Sequence, residues 1–374
     1  MEKIGSLFET SRQACGRLSI SQQTLYAYVS RGLIRTELHA EDSRRRLYRS
    51  ADIDQLEHRQ QRGRSRRAVA HSTIDFGEPV LRSRVSSISD GHFYYRSVNA
   101  VELSRTASLE DIFELLCETK IDRSHSLVGD DLISKRRTPL ARFIEALAQQ
   151  VGDGRRKGDK RHAYKLLQIM VSNAARGSRL SNKEEFHQQL ARCWSDDPRA
   201  PDLIRRALVL SADHELNASS YATRVTASAG SSLSACLLTG VSTLSGDLHG
   251  GLSNLCVAWM KDSASRKIGE IEMNTNQPPP GFGHRLYPNG DPRANEIVSQ
   301  CAPPMTWQRI AKKVIKKTHA HPTLDYGLAI LEHQLKLPKG SAFSIFAVGR
   351  TVGWLAHCFE QRKDGRLIRP RASR

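Results

Sequence analysis

Three stretches of the chain carry residue types that do chemistry. The first is Gly246-Asp247-Leu248-His249-Gly250-Gly251, followed by an apolar helical run, LSNLCVAWM. Glycine removes side-chain bulk, so a ligand can approach the histidine closely. The positive end of the following helix would favour a neutral imidazole. A neutral histidine can donate a hydrogen bond to a carbonyl or enolate oxygen. The plain alternative is a histidine that only shapes a turn. The second stretch, residues 280–294, reads PGFGHRLYPNGDPRA and holds His284 and Arg293 in turn-rich chain. Arginine grips a carboxylate through two parallel hydrogen bonds. The third, Pro322-Thr323-Leu324-Asp325-Tyr326, offers a carboxylate. Alone it reads as a helix cap. Desolvation or charged neighbours would make it a general base.

Helices must position most of these groups. From about residue 108 the apolar residues recur at helical spacing in LEDIFELLCET, PLARFIEALAQQVG, HAYKLLQIMVSNAARG, EEFHQQLARCW and PDLIRRALVLSADHELN. Residues 72–104 read as strand-rich, with a hairpin turn at Asp90-Gly91, and residues 152–162 as a charged loop. The expected class is mostly α. Nearer the N-terminus, Ser21 is set to cap a helix with Leu25, Tyr28 and Val29 on one face and Gly32 just past its end. Two strand-like pieces follow around Glu41-Asp42-Ser43, and Ser50 is set to cap a further helix. The basic run 59–67 has no apolar period and marks a domain boundary at about 60–75.

Composition narrows the classes. The chain has 374 residues, 39% hydrophobic and 26% charged, which excludes collagen-like, disordered and coiled-coil proteins. No uninterrupted apolar run approaches the ~18 residues of a membrane span, and MEKIGSLFETSRQ has no signal-peptide core. The expectation is a protein without membrane segments, in the cytoplasm. Seven cysteines without a C-x-x-C pair fit reduced thiols and no metal site. The charge is unusual: 57 Lys and Arg against 39 Asp and Glu, a net of +18. Such an excess fits nucleic acid or anionic substrates. Residues 1–70 hold +6 of it and residues 71–374 hold +12.

The N-terminal order of helix, turn, helix, hairpin and helix resembles the winged helix-turn-helix of MerR-type regulators. Thr24-Leu25-Tyr26-Ala27-Tyr28, Arg31-Gly32-Leu33-Ile34 and Arg44-Arg45-Arg46-Leu47-Tyr48 carry the resemblance. It implies that Gln22, Gln23, Thr24 and Tyr26 face the major groove, while Arg44, Arg45 and Arg46 touch phosphates. A packing or dimerisation module of the same shape is the alternative.

The three chemical stretches, taken with Ser211-Ala-Asp-His214-Glu-Leu-Asn-Ala-Ser and Phe346-Ala-Val-Gly-Arg350-Thr-Val-Gly-Trp-Leu-Ala-His, resemble citrate synthase in the family's order. The resemblance implies a two-part helical body, with a large domain at 75–249 and 332–374 and a small domain at 250–331. A helix-turn-helix module at 1–62 and a linker at 63–74 would precede it. It implies that His249 stabilises the enolate of acetyl-CoA and that Asp325 removes the methyl proton. His284 would polarise the oxaloacetate ketone, with His214, Arg293 and Arg350 binding oxaloacetate. Arg369 would reach the neighbouring subunit's site in a homodimer. No cofactor or metal is implied; acetyl-CoA is a substrate. Alternatives are a 2-methylcitrate synthase using propionyl-CoA, or a DNA-binding regulator that senses a metabolite through a citrate synthase-like body. The chain departs from the family at Gly246-Asp247-Leu248, at Leu252-Ser253-Asn254 in place of Ala-Asn-Glu, and at Thr-Leu-Asp-Tyr in place of Asn-Val-Asp-Phe. Asp247 would raise the pKa of His249.

Overall fold

A computed structural model describes residues 8–39, 42–62, 81–123, 134–151, 160–175, 181, 183–271, 273–274 and 277–370. By contact the chain divides into two compact units, Met1–Arg82 and Ser83–Arg374. The division lies later than the expected boundary at 60–75. The expected linker, 63–74, falls outside the described residues.

In the first unit β1 (Phe8–Thr10), α1 (Ser11–Leu18), α2 (Gln22–Ser30), β2 (Thr36–His39), β3 (Asp42–Arg49) and α3 (Ser50–Arg62) follow one another. Strand β3 is central and antiparallel to both β1 and β2. Ser21 Oγ accepts the Thr24 amide at 3.2 Å and starts α2. Gly32, at φ +70°, ends it: its amide reaches Val29 O, and the Leu33 amide reaches Tyr28 O. This double closure needs a left-handed residue, which glycine supplies without strain. Helix α3 begins at Ser50 itself, one residue earlier than a Ser50 cap would place it. Ala14, Leu18, Leu25, Ile34, Tyr48, Ile53 and Leu56 form this unit's core.

The second unit opens with the expected hairpin, β4 (Ser86–Ser89) and β5 (His92–Tyr95), turning at Asp90-Gly91; β6 (Val98–Asn99) joins β5. Helices make up the rest: α4 (Ala100–Thr106), α5 (Leu109–Cys117), α6 (Pro139–Ala148), α7 (Lys160–Ala174), α8 (Phe186–Trp194), α9 (Ala200–Ser211), α10 (Ala218–Ser228), α11 (Leu233–Leu244), α12 (Leu252–Ala264), α13 (Pro292–Gln300), α14 (Met305–Thr318), α15 (Leu324–Gln334) and α16 (Ser341–Asp364). The unit is mostly α, as its periodicity predicts. Helix α5 is typical. Ser108 and Asp111 form a capping box, and Leu109, Ile112, Phe113 and Leu116 share a buried face.

Helix α16 is the centre, packed against α5, α7, α9, α10 and α11. It is long and apolar enough to cross a membrane, but 94% of its apolar window is buried. Arg350, Thr351 and His357 interrupt it, so it passes on mean hydropathy alone, as the core helix of a folded body does, and it is not an uninterrupted apolar run. Two glycines bring it close to the end of α9. A Cβ at Gly349 would lie 2.6 Å from Leu208 O, and one at Gly353 would lie 2.4 Å from Ala212 O. This contact aligns α16, which carries Arg350, with the loop that carries His214.

Candidate active site

Between α9 and α10 the chain makes a short loop, residues 212–217, tied down from both sides. Asp213 Oδ2 accepts from the Ser86 hydroxyl of β4 and lies 3.2 Å from His357 Nε2 of α16. The Glu215 amide donates to Ser86 Oγ at 2.9 Å. His214 is thereby held in the interior, with Nε2 at 2.9 Å from Tyr287 Oη. Its ring centroid lies 5.3 Å from that of His284. Burial, then Arg293, His284, Arg350 and His249 in that order, keep His214 neutral, far below its usual pKa. Four predicted residues from distant parts of the sequence therefore surround a fifth.

His249 lies just ahead of α12. Its pKa falls to about 3, first from burial and then from the Arg350 charge. A neutral ring was expected, but through the helix end; the interior supplies the effect instead. The expected rise caused by Asp247 is corrected, because Asp247 is exposed and the shift runs downward. Gly250 and Gly251 also act differently from expectation. A Cβ there would strike Leu244 and the Ser245 carbonyl, so these glycines fold the turn back on its own helix end. His249 Nε2 is 2.8 Å from Ser219 Oγ. That oxygen accepts from the Trp354 indole at 3.1 Å. The single Ser219 hydroxyl proton faces both Asn217 Oδ1, at 2.8 Å, and Nε2; when it goes to Nε2, the proton of the neutral ring sits on Nδ1.

His284 has a defined tautomer. The Leu286 amide donates to its Nδ1 at 3.2 Å, so Nε2 carries the proton. Burial and Arg293 lower its pKa to about 4. It is a neutral donor across the ordinary pH range. Gly281, two residues into the same motif, has φ +87°, and a Cβ there would lie 2.3 Å from Cys256 Sγ. Only glycine lets this loop lie against α12.

The two arginines differ. Arg293 is not in the loop, as the turn-rich sequence suggests, but in the first turn of α13, behind Pro292 and the Asp291 cap. Its Nε and Nη2 already hold Asp291 at 2.9 and 2.7 Å. Arg350 is 1% exposed and gives Nε to Ser211 O at 2.9 Å. Its Nη1 and Nη2 are buried without any partner. Burial lowers its pKa to about 10. A guanidinium held dry with two idle nitrogens is a receptor for an anion.

Asp325 is the second residue of α15. Burial raises its pKa, as a general base requires, while the Ser253 hydroxyl opposes the rise. Its charge also bears on Arg350. Arg369 is not at this site within one chain. It is exposed, and its neighbour Ile368 is bonded to Ser228 at the far end of α10 from Ser219. No group of three or more His, Cys, Asp or Glu among the described residues could hold a metal ion.

In the first unit, Gln22, Gln23 and Tyr26 are exposed along α2 and Thr24 is half-buried. Gln22 donates to Tyr26 Oη at 2.9 Å, and Thr24 Oγ1 shares a 2.9 Å hydrogen bond with Ser21 Oγ. Arg45 and Arg46 are exposed on β3; the Arg44 side chain falls outside the described residues.

Ser219, Ser253, Tyr287, Asp291, Thr323 and Trp354 also face the site, and the sequence marks only Ser253 and Thr323, as departures from the family pattern. Hydroxyls and a tryptophan inside a motif carry no spacing signal; only contact reveals them.

A helical body here gathers three neutral histidines, a dry arginine and a desolvated carboxylate, groups that can hold an anion and move a proton beside it. The chain belongs to the citrate synthase family: residues 76–371 match the family model for the citrate synthase C-terminal domain. It is 34% identical over 217 residues to a citrate synthase of Haloferax volcanii, covering 54% of this chain and 55% of that protein. It is 28% identical over 329 residues to the citrate/2-methylcitrate synthase of Bacillus subtilis, covering 74% and 88%. The chain spans about half the length of the first curated relatives it matches. Two solved structures share the fold. One is citrate synthase from Thermotoga maritima, TM-score 0.67 at 20% identity, covering 80% of this chain and 94% of that one. The other is the Thermoplasma acidophilum enzyme in a ternary complex with carboxymethyl coenzyme A and oxaloacetate. It has TM-score 0.65 at 21% identity, covering 79% and 93%.

Proposed function

We propose that this chain condenses acetyl-CoA with oxaloacetate and hydrolyses the resulting thioester, giving citrate and CoA. One observation carries the reading: Arg350, buried beside His214 and His249, with two idle guanidinium nitrogens. Oxaloacetate is a dianion, and one of its carboxylates accepts two charge-assisted hydrogen bonds from Nη1 and Nη2. Arg293, His214 and Tyr287 line the same region.

Each remaining step uses a group suited to it. Asp325 takes a proton from the thioester methyl group. Neutral His249 donates to the oxygen on which negative charge develops; a donor fixed in a dry site is worth more than water there. The enolate carbon attacks the oxaloacetate ketone, and the Nε2–H of His284 protonates the new alkoxide. Water then cleaves the citryl thioester. Acetyl-CoA is consumed as a substrate and no bound cofactor is needed. Residues 250–331 act as a small domain closing on 75–249 and 332–374, which shields the enolate from water. Arg369 completes the site of a second copy in a homodimer.

The B. subtilis relative's name favours a second acyl donor, propionyl-CoA. One methylene is worth only ~1–3 kcal/mol in a pocket, so both donors belong in the assay. CoA release from acetyl-CoA plus oxaloacetate, absent in D325N, supports the reading. No release with either donor, in folded wild-type protein, overturns it.

The first unit is a MerR-like winged helix-turn-helix that binds DNA through α2 and the β3 arginines. Its element order and the exposed Gln22, Gln23, Tyr26, Arg45 and Arg46 support this. Removing the arginine side chains at 44, 45 and 46 is expected to weaken duplex binding and flatten its salt dependence. Binding unchanged by the triple alanine variant counts against it.

A further inference from the structure

Two hydroxyls from different elements hold the carboxylate of Asp325. Ser253, in the first turn of α12, donates from Oγ to Oδ1 at 2.6 Å. Thr323, just ahead of α15, donates from Oγ1 to Oδ2 at 3.3 Å. Both donors are shut away from solvent, Ser253 at 0% and Thr323 at 4% exposed. They are also two of the positions where the chain departs from its family's pattern. Each carries a hydroxyl in place of an amide, and both changes converge on one carboxylate.

The surroundings decide what such donors do. Arg293 and Asp291, at the start of α13, face Asp325 with opposite charges, and Arg350 of α16 adds a second cation. The Cys256 thiol lies one turn along α12 from Ser253. Burial favours the protonated acid, and the two hydroxyls oppose it. An ionised carboxylate only accepts hydrogen bonds, so every fixed donor stabilises the charged form. A short donor on one oxygen and a long one on the other also makes the two oxygens unequal.

We infer that Ser253, with Thr323 as the weaker second donor, is a positioning residue for this base. It fixes the carboxylate rotamer through Oδ1 and keeps Asp325 ionised. Oδ2, with the longer contact, is the oxygen left to take the substrate proton. The inference rests on the reading of Asp325 as the base.

The test is the pH profile of kcat/KM for acetyl-CoA at saturating oxaloacetate, followed by thiol release. Wild type, S253A, S253T and T323V are compared. In S253A the acid limb is expected to move up by about one pH unit, because a donor to the charged form is lost. S253T keeps the hydroxyl and restores the limb. T323V moves it the same way by less, in keeping with its longer bond. A merely structural role would lower the rate equally at all pH values. An unmoved limb in folded S253A therefore overturns the inference, whatever the loss of rate. If S253A is insoluble, T323V decides by the same criterion. A wild type without turnover on either acyl donor rejects the base assignment itself. Turnover with an unmoved limb rejects only the role of Ser253.

Discussion

Replacing Arg350 by methionine should leave the empty protein at least as stable while abolishing its response to oxaloacetate. Folding lowers the pKa of this guanidinium from 12.5 to about 10. At about 1.4 kcal/mol per pH unit, holding the charge costs roughly 3 kcal/mol relative to the unfolded chain. The base binds its proton less tightly when folded, so the cost is present at every pH below about 10 and in full at pH 7. Methionine has a similar length and removes the charge. Against that gain stands the Ser211 carbonyl, which loses the Nε donor at 2.9 Å, a cost of about 1–2 kcal/mol. The guanidinium also lies 4.9 Å from the Phe346 ring centre, a contact worth about 1 kcal/mol. The balance lies between zero and about 1 kcal/mol in favour of the variant, or up to a few degrees in Tm. Most substitutions of fully buried side chains go the other way. Wild type with oxaloacetate at about 100 times Kd gains roughly 2.7 kcal/mol by mass action. R350M gains nothing, since the partner of the buried carboxylate is gone. Thermal melts with and without oxaloacetate measure both effects. An R350M protein that melts well below wild type, or still shifts with oxaloacetate, would refute the role of Arg350 as a prepared anion receptor.

Acid should destabilise the fold through its neutral histidines. His249 and His284 titrate at about 3 and about 4 in the fold, against about 6.5 when unfolded. A lowered histidine pKa costs nothing above pH 6.5 and progressively more below it, about 2 kcal/mol each at pH 5. Denaturant titrations at pH 7 and pH 5 should differ less in an H249N/H284N double variant than in wild type; equal differences would count against this. Gly353→Ala should be strongly destabilising, because its Cβ would lie 2.4 Å from Ala212 O and 2.5 Å from Asp213 Oδ1. The helix-propensity gain of ~1 kcal/mol does not offset such a clash. The variant should also raise KM for oxaloacetate, since His214 follows directly. Gly269→Ala, which meets nothing within 4 Å, is the control and should melt like wild type.

Much of the helical body was legible because its signals are local. Capping residues, helical periodicity and the Asp90-Gly91 turn each act over a few residues, so α5 and the β4–β5 hairpin fall where the pattern puts them, whereas the helical run expected through Asn217 stops at Ser211, where Ser86 and His357 hold the loop that bears His214. The reactive groups were legible for a related reason. His249, His284 and Asp325 sit in glycine- and proline-marked stretches whose order matches one family. Less was legible where two elements must meet. Arg293 and Arg350 look alike in sequence, yet one is bound to Asp291 and the other gives only Nε to the Ser211 carbonyl, with Nη1 and Nη2 left without a partner.

The sequence by itself determined the helix content, the hairpin, the identity of the reactive side chains and the family that their order defines. Only the tertiary structure decided their states. It made His249 neutral through burial and Arg350, left Asp247 outside, and set Ser253 and Thr323 on the two oxygens of Asp325. The reason is physical. Propensity and periodicity act between near neighbours along the chain. Desolvation and charge act through space, and residues as distant as 214 and 350 share one interior only after α16 has packed against α9.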